Sequence, residues 1–300
     1  VSAEEPTAMS IDVIPLSQHT GAEIRGVALA PDLDDATIGA IRAALLEWKV
    51  VFFRDQHLDR DAHVALGARF GEVTPAHPTL PPRFADRPEI VVIEKDTHGD
   101  DPDETILDHR WHSDVTYVEA PPMGSILRAV EVPPYGGDTE WTNLAAAYAG
   151  LSEPLRSMID GLTAVHHNVL HLVRGEPNQL QRDFESTRLR ARHPVVAVHP
   201  ETGERVLYVN PDFTSHIPEL TRQESTHVLA CLHEQLASRE FTVRFPWAPG
   251  SVAFWDNRAT AHRAPADVPA GHHREMERIT LRGERLVGTD GFVSSTYDPA

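Results

Sequence analysis

Apolar residues fall mostly in short runs rich in β-branched and aromatic side chains, each bounded by Pro, Gly or Asp. These runs are "VVFF" (50–53), "IVVIE" (90–94), "SILRAV" (125–130), "VVAVH" (195–199), "VLYV" (206–209), "FTVRF" (241–245) and "SVAFW" (251–255). Each reads as a strand. Helical spacing appears in "DDATIGAIRAALLEWK" (34–49), where Ile38, Ile41, Leu45 and Trp48 share a face. A second helix is expected over 60–70, closed by Gly71 in the usual C-terminal position. "TRQE" (221–224) is a capping box opening a third, and Val228, Cys231, Leu232 and Gln235 follow at helical spacing, which makes Cys231 a core residue.

Strands follow one another without helices between them over 195–209 and 241–255, so alternating βαβ units do not fit. The expectation is a mainly β fold with flanking helices, a sandwich or barrel of the jelly-roll kind. There is no repeat and no low-complexity linker. The chain therefore reads as a frayed tail over 1–10 and one domain over 11–300. Residues 166–193 are polar, arginine-rich and aperiodic, which predicts a lid.

Composition narrows the function. A formal net charge of −18 offers no basic surface for nucleic acid. No apolar run approaches the roughly 20 residues of a membrane helix, and the first residues do not form a secretory signal. One cysteine, Cys231, excludes an internal disulfide and fits a reducing cytoplasm. Lysine occurs only at Lys49 and Lys95, so nearly every cation is an arginine, whose planar fork grips carboxylates and sulfonates. A small anionic substrate and a homo-oligomeric enzyme are expected.

The chemistry centres on "RWHSDVTY" (110–117). Residues two apart on a strand share a face, so His112 and Asp114 can meet one ion. Among 18 histidines and 45 acidic residues a single H-x-D is weak. His262, which follows the apolar strand and Asp256–Asn257 in "SVAFWDNRATAHRA" (251–264), supplies the third member of a facial triad. Arg274 and Arg278 in "REMERITLRG" are four apart, which on a strand puts two cations on one face for anionic ligands. Asp256 and Asn257 are expected to brace the strand end, and Trp111 and Trp255 to be core. The remaining histidines, among them His63, His166, His193 and His199, are expected to be solvated or hydrogen-bonded, and "HGDDPDE" (98–104) to be a solvated loop.

With these stretches, "GAEIRGVAL" (21–29), "VVFFRDQHL" (50–58), "WHSDVTYVEAPPMGSILRA" (111–129) and "GGDTEWTNLAAAY" (136–148), in this order, resemble the taurine dioxygenase family of iron(II)- and 2-oxoglutarate-dependent oxygenases. The resemblance spans nearly the whole chain. It implies a double-stranded β-helix, with Fe(II) held by His112, Asp114 and His262. Thr139 and Arg274 would bind the carboxylate of 2-oxoglutarate remote from the metal. The implied reaction uses O2 to decarboxylate 2-oxoglutarate to succinate and hydroxylate a C–H bond. Related halogenases lack the carboxylate ligand, so Asp114 favours hydroxylation.

The family's sulfonate and sulfate oxidisers use an early-loop histidine and the second arginine, matched here by His77 and Arg278, with Val115 lining the pocket. Arg278 would have its charge free for the substrate anion. Leu80 stands where taurine-specific members have tyrosine, and Asp108 where they have asparagine, which favours a longer or more apolar substrate. Oxidation at the carbon bearing a sulfonate or sulfate is the first expectation. The same chemistry on a carboxylate or phenoxy acid, a zinc metallohydrolase and a non-catalytic binding jelly roll are the alternatives.

Overall fold

The computed structural model describes residues 11–75, 78, 82–97, 110–168 and 187–298. Its largest sheet has seven strands. In spatial order they are Asp12–Pro15 (β1), Ala22–Arg25 (β2), Val50–Phe53 (β3), Val252–Asp256 (β13), Gly124–Glu131 (β5), His273–Leu281 (β15) and Val91–Asp96 (β4). All neighbours are antiparallel except β2 and β3. A three-stranded sheet, Thr242–Phe245 (β12), Thr139–Asn143 (β6) and Thr260–Arg263 (β14), faces it. The space between is filled from both sides: Phe52 of β3 stacks on Phe245 of β12 at 4.1 Å, and Trp141 of β6 meets Trp255 of β13 at 5.8 Å. This is the expected jelly-roll architecture, two sheets closing over an aromatic core.

Two further sheets are formed by Thr163–His167 (β7), Arg190–Pro194 (β8), Thr214–His216 (β11) and Ser295–Thr296 (β17), and by Val196–Val198 (β9), Arg205–Leu207 (β10) and Val287–Gly288 (β16). The helices are Asp35–Trp48 (α1), Arg60–Gly67 (α2), Leu144–Ala149 (α3), Glu153–Ile159 (α4) and Arg222–Leu236 (α5) among the described residues. α1 and α2 cover the outer face of the large sheet, where Ile41, Leu45 and Leu66 join Val51, Phe53 and Ile279. None of these helices is long and apolar enough to cross a membrane.

Every predicted strand has a counterpart, shifted by a residue or two at its ends. Asp34 caps α1 by accepting from the Thr37 N–H, and Thr221 and Glu224 form the capping box of α5. Three expectations fail in detail. The buried stripe of α5 is Ser225, Leu229, Leu232 and Leu236, and Cys231, one residue before Leu232 and thus about 100° around the helix, is exposed. α2 ends at Gly67 with Ala68 as its cap, so Gly71 does not close it; the N–H groups of Phe70 and Gly71 both return to the Gly67 carbonyl. The stretch 166–193 is strand at both ends, because β7 includes His166 and His167 and β8 begins at Arg190. Residues 169–186 between them, the tail 1–10 and the acidic run 98–104 lie outside the described residues.

Candidate active site

The two histidines meet through their backbones. His112 donates its N–H to the His262 carbonyl at 2.9 Å and accepts from the His262 N–H at 2.7 Å, a single antiparallel bridge. It places the imidazole centroids 4.3 Å apart. His262 is fixed in β14, opposite Trp141 of β6. His112 Nδ1 lies 2.9 Å from the Arg110 carbonyl, which can only accept, so Nδ1 carries a hydrogen and Nε2 is the nitrogen left to face a metal. That is how metal-binding histidines are usually oriented.

Asp114 arrives differently from the expectation. His112 is an isolated bridge and Asp114 opens a turn, so strand alternation does not bring them together. The reversal runs through Val115, whose φ of 57° is left-handed. A β-branched side chain crowds its own backbone there, so the residue is an outlier that its surroundings must hold. The outcome is nonetheless one cluster. The ligand atoms of His112, Asp114 and His262 lie within 4.8 Å of one another, and all three residues are buried.

The electrostatics favour an ionised carboxylate beside a neutral His262 imidazole. Burial pushes the Asp114 carboxyl up, but Arg278, His262, His112 and the Ser125 hydroxyl outweigh it and hold the pKa at about 2. Burial, with the nearby His112 and Arg278, holds the His262 imidazole down at about 3 against the pull of Asp114. Two imidazole nitrogens and one carboxylate form the donor set of a non-haem iron(II) site with open positions. A second group, Glu94, His273 and Glu275, is more exposed, and the His273 ring nitrogens face Glu131 and Glu94 at 3.2 and 3.0 Å. It carries no comparable buried donor set.

Beside the cluster, β15 turns Arg274 and Arg278 into the cavity and Glu277 to the opposite face, where Arg128 and Arg60 neutralise it. The shared face follows from the spacing of four. Arg274 Nε donates to the Gly137 carbonyl at 2.9 Å, and Nη2 reaches Thr139 Oγ1 at 3.4 Å. Gly137 has to be glycine: its φ is +65°, and a Cβ there would lie 3.0 Å from Arg274 Cδ. Thr139 Oγ1 also accepts from Trp247 Nε1 at 2.9 Å. With two donors on its lone pairs, the Thr139 hydroxyl can offer its hydrogen to a carboxylate.

Arg278 departs from the expectation of a free charge. Its Nη1 donates to Asp114 Oδ1 at 2.6 Å, because Asp114 and Arg278 reach the same buried corner. Its Nε, however, is buried without a hydrogen-bond partner. His112, Thr139, His262, Arg274 and Arg278 line one cavity, whose wall includes Trp255, a core residue that is also a pocket residue. Val115 lines a neighbouring cavity of about 310 Å³ with Val118, Ala120, Pro122 and Thr280. His77, Leu80 and Asp108 lie outside the described residues.

Sequence reasoning expected Asn257 only to brace the strand end and missed its clamp on Asp114. Its carboxamide accepts from the Asp114 N–H at 2.7 Å and donates to the Asp114 carbonyl at 3.0 Å, across 143 residues of chain. It also missed Ser125, which donates to Asp114 Oδ2, and Trp247. Only the position of Asn257 after an apolar strand was legible. Asp256 does brace, through His199 at 3.0 Å and Arg258 at 2.6 Å.

The chain as a whole is similar to known proteins. The family described as taurine catabolism dioxygenase TauD, TfdA matches residues 12–280. An alpha-ketoglutarate-dependent sulfate ester dioxygenase of Pseudomonas putida is 43% identical over 98% of this chain and 97% of its own length. An alkylsulfatase of Acinetobacter baylyi is 38% identical over 99% of this chain and 92% of its own. The crystal structure of a taurine dioxygenase from Burkholderia xenovorans superposes with a TM-score of 0.82 at 48% identity, covering 97% of this chain and 96% of that one.

Proposed function

Because the chain belongs to the taurine catabolism dioxygenase TauD, TfdA family, we propose that it oxidises the carbon bearing a sulfate or sulfonate group of a small organic anion. It is an Fe(II)- and 2-oxoglutarate-dependent dioxygenase with O2 as second cosubstrate. When bound, iron supplies activation of O2. One oxygen atom then enters succinate as 2-oxoglutarate loses CO2, and the other enters the substrate as hydroxyl. The hydroxylated carbon expels sulfate or sulfite and becomes an aldehyde.

His112, Asp114 and His262 hold the metal, since their donor set and mutual distances fit it. Arg274 and the Thr139 hydroxyl grip the remote carboxylate of 2-oxoglutarate, one by charge and one by its free hydrogen. The sulfur oxyanion belongs at Arg278, with Val115 against the organic group; His77, outside the described residues, is its expected second contact. A cytoplasmic location fits a chain with one cysteine, and a homo-oligomer remains the expected assembly.

One observation carries the anion assignment. Arg278 Nε is buried at the cavity wall with no partner, although a buried donor left unpaired costs about 1–3 kcal/mol. An anionic oxygen in the cavity would satisfy it. The test is a panel of alkyl sulfates, taurine and other sulfonates, and phenoxy acids, with succinate and sulfur oxyanion measured together. Sulfate or sulfite should appear in step with succinate. Turnover of phenoxy or carboxylate substrates with every sulfur oxyanion ignored would leave the oxygenase standing and remove the sulfur assignment.

A further inference from the structure

Asp114 is held by every polar group it owns. Its Oδ1 takes Arg278 and its Oδ2 takes Ser125. Its peptide N–H and carbonyl both go to the Asn257 carboxamide. The second hydrogen of Asn257 Nδ2 goes to the Pro122 carbonyl at 3.2 Å, and the Asn257 N–H to the Met123 carbonyl at 2.9 Å. The carboxamide therefore has its oxygen and both hydrogens committed. Flipping it would reverse all three bonds at once.

Two residues on, the turn is pinned again. The Thr116 carbonyl lies 2.7 Å from His193 Nε2, while Thr116 Oγ1 meets His166 Nδ1 at 2.9 Å and Asn210 Nδ2 at 3.3 Å. Thr116, His166, His193 and Asn210 are all fully buried or nearly so. Val115 is thus the one residue between two fixed points. The chain closes that gap only by taking a left-handed conformation that valine disfavours.

We propose that Asn257 is a positioning residue, whose carboxamide holds Val115 in its left-handed conformation and thereby aims the Asp114 carboxylate at the histidine pair. This rests on the reading of Asp114 as a metal ligand. Without the clamp, a valine-containing turn relaxes toward ordinary backbone and carries the carboxylate away. A glycine at 115 has no such preference, so it keeps the turn whether or not the clamp is present. A brace that merely supported the sheet would show no dependence on residue 115.

The experiment is a double-mutant cycle read by metal affinity. Asn257→Ala, Val115→Gly and the double variant are titrated with Co(II), and thermal unfolding is recorded in EDTA. Asn257→Ala should weaken Co(II) binding by about tenfold or more, as loss of an outer partner of a ligand does. Asn257→Asp, of the same shape but unable to donate to two carbonyls, should behave alike. Val115→Gly alone should bind Co(II) within about twofold of wild type, and the double variant should regain most of the loss. If Asn257→Ala fails to fold, Asn257→Asp and its Val115→Gly partner are read in the same way. Unchanged affinity in the Asn257 variants, or no recovery from glycine, would overturn the proposal. Wild-type affinity in Asp114→Ala would instead remove the ligand assignment beneath it.

Discussion

Two buried aspartates, Asp114 and Asp256, each face an arginine, yet they do opposite things. Asp256 Oδ1 accepts from the Arg258 N–H and Nε at 2.9 Å each, and Oδ2 from Arg258 Nη2 at 2.6 Å and His199 Nε2 at 3.0 Å. Arg258 continues to Glu201, and His199 Nδ1 accepts from the Glu201 and Thr202 N–H groups. That cluster is closed. Around Asp114, by contrast, Arg278 Nε and His262 Nδ1 are buried without partners beside a cavity. Burial raises both carboxyls, and their partners pull both well below the usual carboxylate range. A perturbed carboxylate therefore does not separate site from brace here; unfilled hydrogen-bonding capacity at a cavity does.

The largest effect should come from opening each cluster at its carboxylate. Asp114→Ala removes the only anionic member of the donor set, so metal affinity should fall by more than ~100-fold, beyond the loss of an outer-shell partner. Metal-depleted protein titrated with Fe(II) and assayed for succinate checks this. Near wild-type succinate formation would remove Asp114 from the site. Asp256→Ala should act on stability instead, costing about 1–3 kcal/mol, because Arg258 and His199 lose buried hydrogen bonds while Arg258 keeps Glu201. Urea unfolding in EDTA measures it. A loss as small for Asp256→Ala as for an exposed carboxylate would mean that the closed cluster contributes little.

Within the open site, Arg274 and Thr139 should separate by charge. Arg274→Ala should weaken 2-oxoglutarate by roughly 2–5 kcal/mol, much of it the unpaired carboxylate. Thr139→Val should lose about 1 kcal/mol, one hydrogen bond. The concentration of 2-oxoglutarate needed for half-maximal succinate formation reports both. Equal effects, or none at Arg274, would move the cosubstrate elsewhere.

Much of this was written in the sequence. The runs at 50–53, 125–130 and 251–255 are β3, β5 and β13 because branched and aromatic side chains suit a sheet buried on both faces. The His112, Asp114 and His262 cluster was legible as H-x-D plus a later histidine. The turn that builds it was not, since nothing local announces a left-handed valine; the distant Asn257 and the His166–Thr116–His193 contacts impose it. Cys231 was misplaced for a simpler reason: an apolar residue at the margin of a helical stripe can lie on either side of the burial line. Arg278 was correctly set on the face of Arg274, but its contact with Asp114 joins a strand to a turn that only the fold brings together.

The smallest predicted effect tests whether the network behind the Asp114 turn is closed in the manner of Asp256. His193 is fully buried, with Nδ1 facing Ser294 Oγ and Nε2 facing the Thr116 carbonyl, both at 2.7 Å. Burial holds its pKa down at about 4, against the ordinary 6.5, despite the backbone contacts that raise it. The native ring is therefore neutral, with its proton on the nitrogen facing the carbonyl. Above about pH 6.5 neither the native nor the unfolded ring is charged, and the stability associated with the neutral ring is fully present. Between about 6.5 and 4 the unfolded chain binds a proton that the native state refuses, so stability falls as pH falls, by at most about 1.4 kcal/mol per pH unit. His193→Gln keeps a donor for Thr116 and an acceptor for Ser294 but cannot titrate. Urea unfolding in EDTA at pH 7 and pH 5 should then show a smaller acid loss for the variant, by about 1–2 kcal/mol. Identical losses would mean that the ring gains its proton as easily in the folded protein as outside it. In that case Nδ1 would gain a proton in mild acid and Ser294 would have to turn from donor to acceptor, while Nε2 still donated to the Thr116 carbonyl.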